Sequence, residues 1–185
     1  MARVLVPLAQ GCEELEAVTI VDLLRRAEIE VLTAGLDARP VKASRGVTLV
    51  PDTTLDQVLD QDFDMIVLPG GMPGADHLDK DERIHRLLRR HSSLDRYVCA
   101  ICAAPKVLAG AGLLAGKRAT SYPGFVDKMG LPDVIYTGKA VEKDGKVITS
   151  RGPGTAMDFA LELIEALRGP DIRKQVEDRL VRSPP

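Results

Sequence analysis

The chain carries three cysteines, at positions 12, 99 and 102, and one of them falls where a fold can activate it. Tyr97–Ile101 is a short, apolar, partly β-branched run, the signature of a buried strand. Pro105 follows where a helix accepts a proline, in its first turn; Lys106 to Ala111 continues as a helix former and Gly112 is a stop. Cys102 is therefore expected at a strand-to-helix turn. Unpaired N–H groups and partial positive charge at a helix start favour thiolate over thiol. The same turn presents the nucleophile of α/β-hydrolases. Position alone leaves a second reading open, in which Cys102 is a small buried apolar residue, as free cysteines commonly are.

A nucleophile needs a place for developing negative charge and a group that handles protons. The Ala103 N–H and the amides of Gly70 and Gly71 can form an oxyanion hole if strands 64–68 and 97–101 are neighbours. Glu13, Glu14 and Glu16 crowd a helix start, where the dipole alone explains acidic residues, and that reading suffices for Glu13 and Glu14. Glu16 stays ambiguous between dipole partner and proton carrier, the latter requiring burial to raise its pKa. Cys99 and Cys102 spell Cys-x-x-Cys, yet Cys99 lies inside the strand, and residues three apart on a strand point to opposite faces. That argues for a core role for Cys99. His77, His85 and His91 sit in charged helical surroundings and read as solvent-facing, and no second Cys-x-x-Cys supports a metal site.

The elements that must position these groups alternate between strand and helix. Arg3–Ala9 reads as a first buried strand, and a helix from Glu13 carries Leu15, Val18, Val21, Asp22 and Leu24 close to one face. Glu30–Ala34 is a second strand with Gly35 as its turn, and Val41–Ala43 with Gly46–Val50 a small strand pair. A short helix fits Leu55–Leu59 and a third strand Asp64–Leu68, ending in Pro69-Gly70-Gly71-Met72-Pro73-Gly74. Glycines there let backbone N–H groups approach a ligand, or simply make a tight turn. Helices are predicted at Asp81–His91, Phe125–Met129, Thr155–Leu167 and Asp171–Val181, and a strand at Arg118–Ser121. A hairpin is predicted from Ala140–Glu142 and Val147–Ser150, on an Asp-Gly type I′ turn. Alternation of this kind implies one α/β domain over residues 1–185, with a parallel sheet covered on both faces. In such sheets the carboxyl ends of the strands meet at one crevice, which groups Glu16, Gly70, Gly71 and Cys102.

Composition narrows the classes. A net charge of −2 gives no footprint for nucleic acid or anionic membranes, and no apolar run reaches transmembrane length. The N-terminal apolar run is short and followed at once by acids, unlike a signal peptide, so a cytoplasmic location is expected. Three cysteines cannot all pair within the chain, and no disulfide framework is expected.

Gly-Cys-Glu-Glu-Leu-Glu (11–16), Val-Leu-Pro-Gly-Gly (67–71), Ala-Ile-Cys-Ala (100–103) and Thr-Ser-Arg-Gly-Pro-Gly-Thr (149–155) together resemble the ThiJ/PfpI superfamily. The similar branch is that of the parkinsonism-associated deglycase (DJ-one) and bacterial YajL. The resemblance spans nearly the whole chain. It implies a flavodoxin-like three-layer sandwich with a mostly parallel sheet and a nucleophile elbow, and a homodimer. It implies that Cys102 is the oxidation-prone reactive cysteine, that Glu16 hydrogen-bonds it while protonated, and that Gly70, Gly71 and Ala103 are backbone donors around the sulfur. Arg45 and Arg151 match arginines near the interface and pocket. The family's pocket histidine falls at Tyr122, so a cysteine–histidine peptidase is not expected. Tyr122 then either lends its hydroxyl to a substrate or lines the pocket. The activities implied are a glutathione-independent glyoxalase and a deglycase acting on α-oxoaldehydes or glycated adducts, without metal or cofactor. The alternative is a redox-sensing stress chaperone.

Overall fold

The computed structural model describes residues 1–182. Strand β1 (Arg3–Leu8) leads through helix α1 (Glu14–Arg26) to β2 (Glu30–Gly35). The antiparallel pair β3 (Val41–Lys42) and β4 (Thr48–Leu49) precedes β5 (Thr53–Thr54) and β6 (Met65–Leu68). Helices α2 (Gly74–Lys80) and α3 (Glu82–Ser93) lead to β7 (Tyr97–Ile101), followed by α4 (Pro105–Gly110). A short parallel pair, β8 (Arg118–Ala119) with β9 (Ile135–Tyr136), precedes the hairpin β10 (Val141–Asp144) and β11 (Val147–Ser150). Helices α5 (Ala156–Arg168) and α6 (Pro170–Arg179) complete the fold.

Seven strands form one sheet in the order β10-β11-β7-β6-β1-β2-β5, parallel throughout except for β10 against β11. From β1 the chain steps to β2 and β5 on one side, then crosses to β6 on the other. This is the flavodoxin-like order, and the reversal leaves a crevice beyond the carboxyl ends of β1 and β6. Alternation along β1 explains the layers: Val4, Val6 and Leu8 enter the core with Ile20, Leu24, Phe159 and Val176, while Leu5 enters the other with Ile84, Leu88 and Val107. A strand covered on both faces reads as a continuous apolar run, as Arg3–Ala9 does.

The inward face of α1 differs from the expected one. Glu16, Ala17, Ile20, Leu23 and Leu24 are buried, while Leu15 and Val18 are half-exposed. The helix carries two apolar stripes, and the outer one, with Leu15 and Val18, stays half-exposed. The histidine reading is corrected as well. His85 and His91 are buried, His91 completely, and only His77 is exposed. Each sits on α2 or α3, and His85 faces Asp79, with Nε2 2.8 Å from its carbonyl oxygen. At the β10–β11 hairpin only Gly145 has positive φ (+61°), so the turn is not type I′, which needs positive φ at both central residues. The short helix expected at 125–129 is a 3-10 helix over Val126–Lys128.

Candidate active site

Cys102 follows the last residue of β7 and adopts φ +62°, a left-handed backbone for a residue with a side chain. Such a conformation costs on the order of 1–3 kcal/mol and persists only where its surroundings fix it. Here the Cys102 N–H donates to Ser150 O at 2.9 Å, and the Tyr122 N–H donates to Cys102 O at 2.8 Å. The sharp turn lifts the side chain off the strand toward the crevice. Its sulfur faces the N–H groups of Gly71 and Ala103 and the carboxyl of Glu16. Cys102 is 9% exposed.

Glu16 arrives from α1, on the same stripe as Ile20 and Leu23, and is completely buried. Its Oε2 accepts the Gly70 N–H at 2.8 Å, while its Oε1 is buried without a hydrogen-bond partner among the described residues. Burial pushes its carboxyl up from the ordinary 4.5 to about 7, against the opposing pull of the Gly70 amide. Burial also pushes the Cys102 thiol up to about 12, and the charge of Glu16 is the next contribution. Charge on Glu16 therefore opposes ionisation of Cys102. When Glu16 holds the proton, its charge no longer opposes the thiolate, and the two amides favour it.

The glycines act by having no side chain. A Cβ on Gly70 would lie 2.6 Å from Cys102 Cβ and 2.9 Å from Glu16 Oε2. A Cβ on Gly71, at φ +88°, would lie 2.3 Å from Glu13 N. The Gly70 amide is not directed at the sulfur, because the Glu16 carboxylate accepts it; Gly71 and Ala103 are the donors that face Cys102.

Tyr122 is about half-exposed, stacks edge-on against Phe125 (6.3 Å) and lies over Gly152. Arg45 and Arg151 are exposed, and neither makes an ion pair among the described residues. Arg151 adjoins Ser150, whose carbonyl holds the Cys102 amide. Arg45 lies on a loop held by Glu14, whose carboxylate accepts the Arg45 N–H at 2.9 Å; Glu13 accepts the Ser44 hydroxyl at 2.9 Å. These two acids therefore do more than answer a helix dipole. Ser150 is a residue that sequence reasoning missed, although the 149–155 motif contained it.

The other cysteines are more deeply enclosed, Cys12 and Cys99 being completely buried against 9% exposure for Cys102. Burial pushes Cys12 up to about 12, as far as Cys102, and Cys99 higher still. Cys99 and Cys102 join the same core cluster, so strict strand alternation does not extend past the end of β7. All three are free thiols. Among the described residues no group of three or more His, Cys, Asp or Glu is gathered to hold a metal ion.

The sequence and fold that carry this site have counterparts among known proteins. Protein dj-1beta of Drosophila melanogaster is 44% identical over 178 residues, covering 96% of this chain and 95% of its own. Its crystal structure superposes with a TM-score of 0.94, covering 99% of each chain. A structure named Toxoplasma gondii DJ-1, oxidized, gives 0.94 at 38% identity over the full length of both chains. A Caenorhabditis elegans protein named glutathione-independent glyoxalase DJR-1.2 is 39% identical over 170 residues, 92% of this chain and 90% of its own. The pattern of the DJ-1/PfpI family matches residues 2–166, and with these relatives it establishes that the chain belongs to that family.

Proposed function

We propose that the protein is a cofactor-free glyoxalase and deglycase whose nucleophile is Cys102. The observation that carries this reading is the contact between the Cys102 sulfur and the buried Glu16 carboxyl, whose pKa is raised to about 7. A group poised near the working pH gives and takes protons with small driving force either way. The thiolate adds to the aldehyde carbon of an α-oxoaldehyde, and Glu16 protonates the resulting alkoxide to give a hemithioacetal. Glu16, now a carboxylate, removes the proton from that carbon to give an enediolate and delivers it to the neighbouring ketone carbon, while the hydroxyl proton of the first carbon passes to the former ketone oxygen. The product is a thioester of a 2-hydroxy acid. Water hydrolyses it, releases the acid and restores the thiol. For methylglyoxal the sum is methylglyoxal plus water giving lactate, with no external oxidant or reductant. Early adducts of the same aldehydes on amines or thiols enter at the addition step. The name of the Caenorhabditis elegans relative supports this substrate class.

The test is conversion of methylglyoxal to lactate by metal-free protein. Wild type is expected to turn over many times per Cys102. Removing a positioned proton carrier lowers rates by about 10²–10⁴-fold, which is the loss expected for Glu16→Gln, and Cys102→Ser is expected to be inactive while folded. Activity near wild type in folded Cys102→Ser would sink the assignment.

A second reading rests on the unpartnered Glu16 Oε1. A protonated carboxyl there can donate to an oxygen carried by the sulfur. In this redox-sensing role two equivalents of peroxide convert the thiolate to sulfinate, releasing two waters, and Glu16 holds the product by a charge-assisted bond. One oxidation per cysteine, with no lactate formed, would select this reading.

We also propose a homodimer and a cytoplasmic location. Val18 and Val21 of α1 share a groove of about 330 Å³ with Leu49 and Val50, and Val18 and Val50 are exposed apolar residues on it. Three unpaired thiols suit a reducing compartment, and no helix among the described residues is long and apolar enough to cross a membrane.

A further inference from the structure

The two amides that face the Cys102 sulfur belong to different segments: Gly71 precedes α2, and Ala103 precedes α4. The strands they follow, β6 and β7, are hydrogen-bonded neighbours, so what the sheet leaves open is how α2 is held against α4 beyond the strand ends. Gly71 is tied into α2 directly, since its carbonyl accepts the Ala75 N–H at 2.9 Å in the first turn. The next residue, Asp76, pairs with Lys106 in the first turn of α4, and both side chains are largely withdrawn from solvent. Two weaker links fix the rest of α2. His77 Nδ1 meets Gln10 O at 3.0 Å, and His85 Nε2 of α3 meets Asp79 O at 2.8 Å. Asp79 in turn packs against Gly110 at the end of α4, where an added Cβ would lie 2.8 Å from its carboxylate. Asp76–Lys106 is therefore the ion pair that joins both amide-bearing segments.

We propose that Asp76 and Lys106 are positioning residues for the reactive thiol: their ion pair clamps α2 to α4 and so sets the Gly71 and Ala103 N–H groups at the separation that stabilises the Cys102 thiolate. The inference rests on the reading of Cys102 as the reacting group. Neither side chain needs to touch substrate. Loosening the clamp lets one amide withdraw from the sulfur, which weakens a hydrogen bond to a charged acceptor, the kind most sensitive to geometry.

The experiment measures iodoacetamide alkylation of Cys102 in the intact protein by mass spectrometry, across a pH series, with melting temperature read alongside. The variants are Asp76→Asn, Lys106→Met, Lys106→Arg and the charge-exchanged double Asp76→Lys/Lys106→Asp. Asp76→Asn and Lys106→Met are each expected to slow alkylation at neutral pH by about three- to tenfold and to move its midpoint to higher pH, as loss of part of a charge-assisted hydrogen bond implies. Lys106→Arg keeps the pair and the wild-type rate, and the double exchange restores most of the loss. Asp76→Asn is the deciding variant. If the pair acted only through its field, removing a negative charge would favour the thiolate and speed alkylation; faster or unchanged alkylation in folded Asp76→Asn overturns the proposal. A lower melting temperature without a shifted midpoint also overturns it, since that marks a structural tie alone. If wild-type Cys102 is itself unreactive, the nucleophile reading fails and the clamp falls with it, which separates the two failures.

Discussion

Replacing Glu16 by glutamine in a Cys102→Ser background makes the folded protein progressively more stable than its parent as pH rises. The serine removes the thiol, so Glu16 titrates alone at the site. In the unfolded chain its carboxyl releases its proton near 4.5, and in the folded protein burial holds the proton to about 7. Below 4.5 both states are protonated and Glu16 adds no pH dependence. Between the two values the unfolded state has lost a proton that the folded state keeps, so the stability it contributes at low pH is lost as pH rises toward 7. At about 1.4 kcal/mol per pH unit, the rise from 4.5 to about 7 removes on the order of 3 kcal/mol. Glutamine keeps the shape and the acceptor for the Gly70 N–H but has no proton to lose, so it escapes this loss. The stability difference between the double variant and Cys102→Ser therefore grows by about 3 kcal/mol from acid to neutral pH. For a chain of this size that is roughly 6–12 °C in Tm. Denaturant melts of both proteins at a series of pH values measure it, and other titrating groups cancel because both proteins carry them. A difference that stays flat, or that shrinks as pH rises, refutes the claim that Glu16 is held protonated by burial.

Gly70→Ala places a methyl 2.6 Å from Cys102 Cβ and 2.8 Å from Ile101 O. Overpacking of this kind costs about 1–3 kcal/mol, so a lower denaturation midpoint and slower Cys102 alkylation are expected together. Val18→Glu puts a charge on the outer stripe of α1 without touching the core, because Val18 is half-exposed. Light scattering is expected to show a dimer for wild type and a monomer of unchanged fold for the variant.

The strands were legible because burial on both faces leaves uninterrupted apolar runs: Tyr97–Ile101 matches β7 to the residue, and Asp64–Leu68 matches β6 to within one. The short pieces were not. Thr53–Thr54 is too brief for any periodicity, and Gly74–Lys80 carries mostly polar residues after a glycine- and proline-rich turn. The phase of α1 was misread for a physical reason. Apolar residues at 15 and 18 and at 17, 20, 23 and 24 describe two faces, and periodicity does not say which one the protein covers. That misreading also hid the strongest sign of the role of Glu16, which lies in register with Ile20 and Leu23 on the covered face. Buried His85 and His91 escaped notice because the charged neighbours on α3 occupy the other side of the same helix.

The site sets two unfavourable choices against each other in a way that explains their coexistence. Cys102 holds a left-handed backbone, and Glu16 holds a carboxyl without water. Each alone lowers stability by a few kcal/mol. Relaxing either one would remove the geometry on which the proposed chemistry rests. A Cys102 in ordinary strand geometry would continue the alternation of β7 into the core, away from the Gly71 amide. A solvated Glu16 would ionise near 4.5 and place a full negative charge beside the sulfur at neutral pH, opposing the thiolate. The fold therefore secures both from the backbone rather than from other side chains. Ser150 O and the Tyr122 N–H fix the elbow, and the Gly70 N–H fixes the carboxyl. Backbone groups carry no charge that titrates, so they hold the geometry at every pH without adding a charge of their own beside Cys102 and Glu16.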